Sequence, residues 1–407
     1  MGTDCDVLVL GAGPAGSATA IAMADAGFSV MLVDKKHFPR HKPCGEFLSP
    51  QCVPYLAELG LPDVFLDLGA ARVAGMRLST GGADSLGVFR QLPDRPSYGS
   101  TGFGVRREVF DHALVQQAVR RGVTFLPGHP FVALVRSPEG RVQGALLRTP
   151  DGGSRTVRCR HLVGADGVHS PVARELGVQR PTRWLQQMAL VAHYRGVPPC
   201  QHANVHLLRG GFFAATTVDA GLYSANLVLP KASLRQRPEG DWDGFVHRHL
   251  ATAPDLQRQL QAGERVGPWR GIGPLAFTTR RQALPGVVLV GDAAGYVDPL
   301  TGEGIYFALF TARSAAAAVA SALHSPATAA AARRRYEHER AAELGPRLFT
   351  SRLLQRGLRH PWLVRTFVRA LRRWPRLADL VVTMSGDTIH PRELWRPAFW
   401  RAFGASA

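Results

Sequence analysis

Cysteine is scarce in this sequence, lysine almost missing, and no long apolar run occurs. Five cysteines (Cys5, Cys44, Cys52, Cys159 and Cys200) at irregular spacing are too few for a disulfide framework, and no Cys-x-x-Cys pair offers a zinc site. Neither a disulfide scaffold nor a metal centre is expected, and a reducing, cytoplasmic setting follows. The apolar stretch Val7 to Leu10 runs straight into glycines without a basic leader or a small-residue cleavage site, so it reads as a buried strand, not a signal peptide. The Ala-rich stretch Ser314 to Ala332 contains His324 and Pro326 and is too weakly apolar to span a bilayer of about 30 Å. No transmembrane segment is expected. Disorder is excluded as well, because 407 residues with 45% hydrophobic and 20% charged side chains can bury a large core. At roughly 100 to 200 residues per domain the chain should hold two or three domains.

What is abundant is arginine, 45 against 4 lysines, for a formal charge of +18. Residues 331 to 407 carry 16 Arg and 6 acidic residues, so most of the excess lies in the tail. Nucleic acid is not an expected partner, because no binding motif accompanies the charge.

Asp6 to Leu10 reads as a strand, Ser17 to Ala26 as a small-residue helix and Phe28 to Val33 as a second buried strand. Between the first two lies Gly11-x-Gly13-x-x-Gly16, spaced as a dinucleotide-binding turn. The first glycine makes the turn, the second admits a pyrophosphate close to the backbone, and the third lets helix and strand approach. Asp34 ends the second strand, 18 residues after Gly16, where its carboxylate can accept ribose hydroxyls; an acid there prefers FAD or NAD over NADP. Gly11, Gly13, Pro14, Ala15, Gly16, Asp34 and the adjoining Lys35 therefore form the expected nucleotide end of a site. Further along, Val142 to Arg148 and Ser154 to Val163 flank Asp151-Gly152-Gly153 as a hairpin. Residues 180 to 275 read as mostly β with few helical periods. Val287 to Val290 is another short strand, running into Gly291-Asp292, and an Ala-rich helix starts near Gly304. Nucleotide-type segments at both ends of the first 330 residues predict an α/β fold. Its Rossmann-like domain is discontinuous (1–70, 101–178 and 275–330), with a β-rich domain (71–100 and 179–274) and a basic helical region (331–407). No second G-x-G-x-x-G turn follows a strand, so a second, permanently bound dinucleotide is not expected.

The segment Phe38-Pro39-Arg40-His41-Lys42-Pro43-Cys44-Gly45-Glu46 resembles the FAD-dependent superfamily of geranylgeranyl reductases, aromatic-ring hydroxylases and flavin-dependent halogenases. Three more segments are similar to it in order: Arg107-x-x-Phe110-Asp111-x-x-Leu114, Gly164-Ala165-Asp166-Gly167, and Gly291-Asp292-Ala293-Ala294-Gly295 continuing through Gly302-Glu303-Gly304-Ile305. The resemblance implies a para-hydroxybenzoate hydroxylase-like fold and FAD as cofactor, with NADPH or NADH as transient reductant or reduced flavin from a partner. It adds Cys44, Gly45, Arg107, Asp166, Gly291, Asp292, Gly302, Gly304 and Ile305 to the cofactor-binding residues. Asp292 after its strand suits the ribityl hydroxyls, and the free N–H groups at the start of the following helix suit negative charge on a reduced flavin.

Cys44 and Glu46 are the catalytic candidates. A cysteine in such a stretch also serves as a small packed side chain, and Glu46 faces either a substrate pocket or a structural partner. His41 and His169 are loop histidines that more often only satisfy local polar groups. Trp184, Phe212, Phe213 and Tyr223 supply aromatic surface to a pocket in the β-rich part, for an apolar, unsaturated or aromatic substrate. The family's halogenases need a tunnel lysine and a W-x-W-x-I-P stretch. Lys35, Lys36, Lys42 and Lys231 are not placed for that role, and residues 211 to 218 read GFFAATTV, so halogenation is not expected. The same stretch departs from the Y-x-W-x-F-P signature of isoprenoid reductases. The resemblance then implies monooxygenation of an aromatic, polyketide-like or isoprenoid substrate through a flavin hydroperoxide. Double-bond reduction or dehydrogenation is the nearest rival, and a catalytically silent flavin-binding module with a docking tail is a reading of another class. From Leu348 onward apolar pairs alternate with arginines at helical spacing, and four of the seven tryptophans lie beyond residue 361. Basic amphipathic helices of this kind pack on the body, lie on an anionic membrane or bind an acidic carrier protein, which would make the protein peripheral to a membrane in the second case.

Overall fold

The first strand, Cys5–Leu10 (β1), is buried along almost its whole length. Its chain turns at Gly11 into Pro14–Asp25 (α1), where a proline in the first turn lacks only an N–H that has no helical partner. Val30–Val33 (β2) returns parallel to β1 with Val7 opposite Val30. Gly75–Thr80 (β3) and Ala83–Val88 (β4) form a hairpin, Arg107–Arg120 (α2) follows, and Val142–Arg148 pairs antiparallel with Ser154–Gly164 (β5) as the turn residues predict. Four strands come next: Gln187–Arg195 (β6), His202–Leu208 (β7), Gly211–Thr217 (β8) and Tyr223–Pro230 (β9). Helices Trp242–Leu250 (α3) and Pro254–Gln261 (α4) precede Glu264–Ile272 (β10). Val287–Leu289 (β11), Gly304–His324 (α5), Ala329–Gly357 (α6), Pro361–Arg373 (α7) and Pro375–Ser385 (α8) complete the main elements. This is a computed structural model that describes residues 2–91, 100–236 and 240–405. Of the segment 71–100 expected in the β-rich part, positions 92–99 lie outside the described residues.

The segment 180 to 275 is mostly β, as expected, and its few helical periods are α3 and α4. Both are short, so their periodicity is brief: Phe245, Val246 and Leu250 from one and Leu256 and Leu260 from the other are buried. The Asp241 side chain starts α3 by accepting the Gly244 N–H at 2.7 Å, as an N-cap should.

Two sheets frame the site. In the first, β2, β1, β5 and β11 lie side by side and parallel, with Leu8 beside Leu162 and Leu162 beside Val287. Parallel pairing sets the carboxyl ends of β1, β5 and β11 along one edge, where ligands bind in open α/β sheets. The turns starting at Gly11, Ala165 and Gly291 are thereby neighbours. The second sheet runs β10-β6-β9-β8-β7-β3-β4, parallel only between β7 and β3. One of its faces carries α3 and α4, which bury Phe213, Tyr223, Ala225 and Leu227; the other turns toward the first sheet's turns.

The C-terminal helices are built into both units. Tyr336 on α6 donates its hydroxyl to the Leu289 carbonyl at 2.6 Å, while Asp379 on α8 accepts the Val88 N–H at 2.9 Å and pairs with Arg90 at 2.7 Å. Arg347, almost fully buried on α6, joins Glu303 ahead of α5 at 3.2 Å to Asp387 after α8 at 3.1 Å. Among the described residues one helix, α5, is long and apolar enough to cross a membrane, and most of it is buried in the protein against neighbours that include α1 and α6.

Candidate active site

At the nucleotide end, β1, β5 and α1 approach so closely that side chains have no room. A Cβ on Gly11, whose φ is +106°, would stand 2.3 Å from the Ala165 carbonyl oxygen, and one on Gly16 would stand 1.8 Å from the Gly11 oxygen. Asp34 braces the turn, accepting the Ala12 and Lys36 N–H groups at 2.9 Å each, and each carboxylate oxygen keeps a further lone pair. Lys35 beside it is exposed. Arg40 and Arg107 converge on buried Asp111, at 3.0 and 2.7 Å. Burial opposes charge on Arg107, but Asp111 and Cys44 more than offset it and raise its pKa. A Cβ on Gly13 would meet only the Nη2 atoms of these two arginines, each 3.7 Å away. An open glycine at a helix N-terminus, flanked by two guanidinium groups, is a cradle for a diphosphate.

A cavity continues from Gly13, Pro14 and Ala15 past Cys44, Gly45, Glu46 and Arg107 to Asp292, Gly302, Gly304 and Ile305. Gly302, at φ +74°, has no space for a side chain, since a Cβ would lie 2.9 Å from the Phe47 ring. Gly304 and Ile305 open α5, whose first N–H groups have no helical acceptors. Lys42 reaches in as well, with Nζ 3.9 Å from Asp292; burial and nearby Arg107 hold its pKa below the ordinary lysine range. Gly291, Gly11 and Gly16 shape the walls without lining them: the Gly291 N–H donates to Thr311 Oγ1 at 2.8 Å. Asp166 sits between the lining residues Ala165 and Gly167, accepts the Val172 N–H at 3.1 Å and is pushed up to about 6 by burial. These residues fit FAD. Arg40, Arg107 and Gly13 to Ala15 would hold its diphosphate, Asp34 a ribose, Asp292 the ribityl chain, and the Gly304 and Ile305 N–H groups the flavin edge.

The far wall is the face of the second sheet turned away from α3 and α4, with Ala189, Val191, Phe212, Ala214, Asn226 and Val228. Across the rim lies a pair that sequence spacing does not reveal. Buried Glu46 places Oε2 2.6 Å from His193 Nε2 and accepts the Arg107 N–H on Oε1 at 3.2 Å. Its backbone holds φ +57°, a strained conformation for a residue with a side chain, and such strain collects at functional sites. Tyr296 also lines the cavity; burial, then Asp292 and Asp298, push its phenol well above the ordinary value.

The sequence pattern of the FAD binding domain family matches residues 4–344. The chain belongs to that family. It is 32% identical over 326 residues to menaquinone reductase of Mycolicibacterium smegmatis (strain ATCC 700084 / mc(2)155), covering 78% of this chain and 76% of the relative. It is 30% identical over 349 residues to digeranylgeranylglycerophospholipid reductase 2 of Methanopyrus kandleri, covering 84% and 83%. Its fold matches the flavin-dependent brominase Bmp2 with a TM-score of 0.82 at 24% identity, over 98% of this chain and 97% of that one. The protein is an FAD-dependent oxidoreductase.

Within this flavoprotein several expected roles are corrected. Of the four aromatics assigned to the pocket, Phe212 alone lines it. Phe213 and Tyr223 point to the opposite face under α3 and α4, because neighbouring strand residues alternate sides. Trp184 lies outside the cavity, stacked under Arg356 and Arg359 at 4.7 and 5.4 Å. Of the four lysines set aside for the halogenase role, Lys42 lines the cavity, at the Asp292 end and not against the sheet. His41 pairs with Glu108 at 2.8 Å outside the cavity, and His169 is exposed.

Asp298, on the loop leading to Gly302, accepts the Leu300 N–H at 2.7 Å and the Ser351 hydroxyl of α6, and burial pushes it from 3.8 to about 6. A carboxyl whose pKa is raised in the fold stabilises fully below its unfolded value and loses that contribution as pH rises through the folded one. Urea unfolding of the wild type is therefore expected to weaken by on the order of 2 kcal/mol between about pH 4 and pH 6 from this group, with Asp166 acting in the same direction. Asp298→Asn should flatten that part of the profile; an unchanged slope contradicts the assignment.

Proposed function

We propose that this oxidoreductase reduces a carbon–carbon double bond in an apolar, isoprenoid-bearing substrate. The observation that carries the reading is the Glu46–His193 pair, 2.6 Å across, on the rim of a cavity whose sheet wall is apolar apart from Asn226. FAD, when bound and reduced, supplies a hydride, with NADPH, NADH or a partner's reduced flavin as the electron source. The chain must then deliver a proton to the other carbon. That proton is passed along the hydrogen bond between Glu46 Oε2 and His193 Nε2, and His193, partly exposed, refills it from solvent. Phe212, Val228, Ala189 and Val191 exclude water and bind the chain by apolar contact. Relatives at 32% and 30% identity named as reductases of menaquinone and of digeranylgeranylglycerophospholipid support this over monooxygenation, which the sequence alone favours.

The test is a single turnover without oxygen. Holoprotein reduced with dithionite is mixed with a prenylated naphthoquinone, or with a geranylgeranyl lipid, in detergent. Reduction predicts product carrying two added hydrogens under nitrogen. Product that forms only in air and carries one labelled oxygen atom establishes monooxygenation instead.

A further inference from the structure

From residue 344 to residue 378 the chain contains nine arginines and no acidic residue. Arg347 is buried; Arg356, Arg359, Arg365, Arg369, Arg372, Arg373 and Arg376 are all exposed. The same stretch leaves bulky apolar side chains in water: Phe349 is 64% exposed, Leu353 57%, Trp362 66% and Leu363 40%. On α7, Val364, Val368 and Leu371 face inward. Trp362, Arg365, Arg369 and Arg373 fall on the opposite side by helical spacing.

Beneath these helices lies an apolar groove of about 470 Å³, lined by Leu353, Leu363 and Phe367 above and by Leu78, Val205 and Leu207 of the sheet below. Leu207 stands directly across from Phe212 in the β7–β8 register, and Phe212 lines the active-site cavity. The groove and the cavity therefore share one sheet face, and the groove's outer rim is where the exposed leucines stand.

We infer that the outer side of α7, together with the end of α6, docks on an anionic lipid bilayer with the groove's rim against the lipid. Arginines of one sign with no carboxylate among them match anionic headgroups, and interfacial Trp, Phe and Leu bury their apolar surface at the headgroup boundary. An acidic protein face would pair the arginines but leave the apolar rim uncovered. That the groove carries substrate from the bilayer rests on the proposed reaction; the docking does not.

The full chain, loaded with FAD, is mixed with vesicles of equal parts phosphatidylglycerol and phosphatidylcholine at low salt and floated on a density gradient. The protein is expected to float with these vesicles, to remain below with pure phosphatidylcholine, and to be released by high salt. The triple variant Arg365→Glu, Arg369→Glu and Arg373→Glu should bind at least about a hundredfold more weakly, given the usual contribution of each basic residue near an anionic surface. Its flavin content and melting temperature serve as the check on folding, and Trp362→Ser is the milder second variant, expected to bind several times more weakly. Recovery of folded wild type in the soluble fraction, equal flotation with neutral vesicles, an unweakened triple variant, or capture by an acidic carrier protein without vesicle binding each overturns the inference. A protein that floats yet reduces no prenyl lipid keeps the docking and loses the reaction. One that reduces detergent-dispersed lipid but never floats does the reverse.

Discussion

Glu46→Gln is expected to keep its flavin and lose turnover by about two to four orders of magnitude, the usual contribution of a positioned proton donor. The amide matches the carboxylate in size and still accepts the Arg107 N–H, which Glu46 Oε1 takes at 3.2 Å, so the wall should stay in place. What disappears is the carboxyl group that can pass a proton from His193 to the substrate. The loss should fall in kcat and leave KM close to wild type, since the substrate's apolar contacts are untouched. His193→Gln should lose less, because Glu46 can still be protonated slowly from the cavity, and should shift the pH dependence of kcat. Anaerobic turnover of Glu46→Gln within a few fold of wild type would falsify the proton-donor role while leaving FAD binding intact.

Gly16→Ala is expected to purify nearly colourless. The added methyl would lie 1.8 Å from the Gly11 oxygen and 3.1 Å from the Ala165 Cβ, and both neighbours directly follow strands locked into the parallel sheet. The helix must move instead, taking the α1 N-terminus off the diphosphate cradle. Overpacking of this kind costs about 1–3 kcal/mol, which, directed at the cradle, weakens FAD binding by about ten- to a hundredfold. Gly13→Ala should also lose flavin, but with an unchanged melting temperature, since a Cβ there meets only two guanidinium ends at 3.7 Å. Gly345→Ala, with open space around it, is the control that stays yellow. Flavin absorbance per polypeptide measures all three; a fully loaded Gly16→Ala protein would show that the turn does not hold the cofactor.

The parts of the site legible in the sequence are those made by neighbours along the chain. Gly11 to Gly16 and Asp292 to Ile305 each form a strand, a turn and a helix start, and their glycines are demanded by local backbone approach. The aromatic wall was not legible. β8 reads Gly-Phe-Phe-Ala-Ala-Thr-Thr and is covered on both faces, so no polar and apolar alternation marks which phenylalanine meets the cavity. Arg40 carries no local signal of its role, since it is Asp111 that brings it beside Arg107.

The chain's own residues, in order, determined an FAD-binding turn, a discontinuous α/β frame and a basic amphipathic tail, because each rests on spacings of a few residues. Tertiary structure alone decided that Glu46 meets His193, 147 positions away, that Phe212 faces the cavity while Phe213 and Tyr223 do not, and that an apolar groove opens under the arginines. Those are contacts between separate strands, loops and helices, and their partners are chosen by sheet register and packing, which no local pattern encodes.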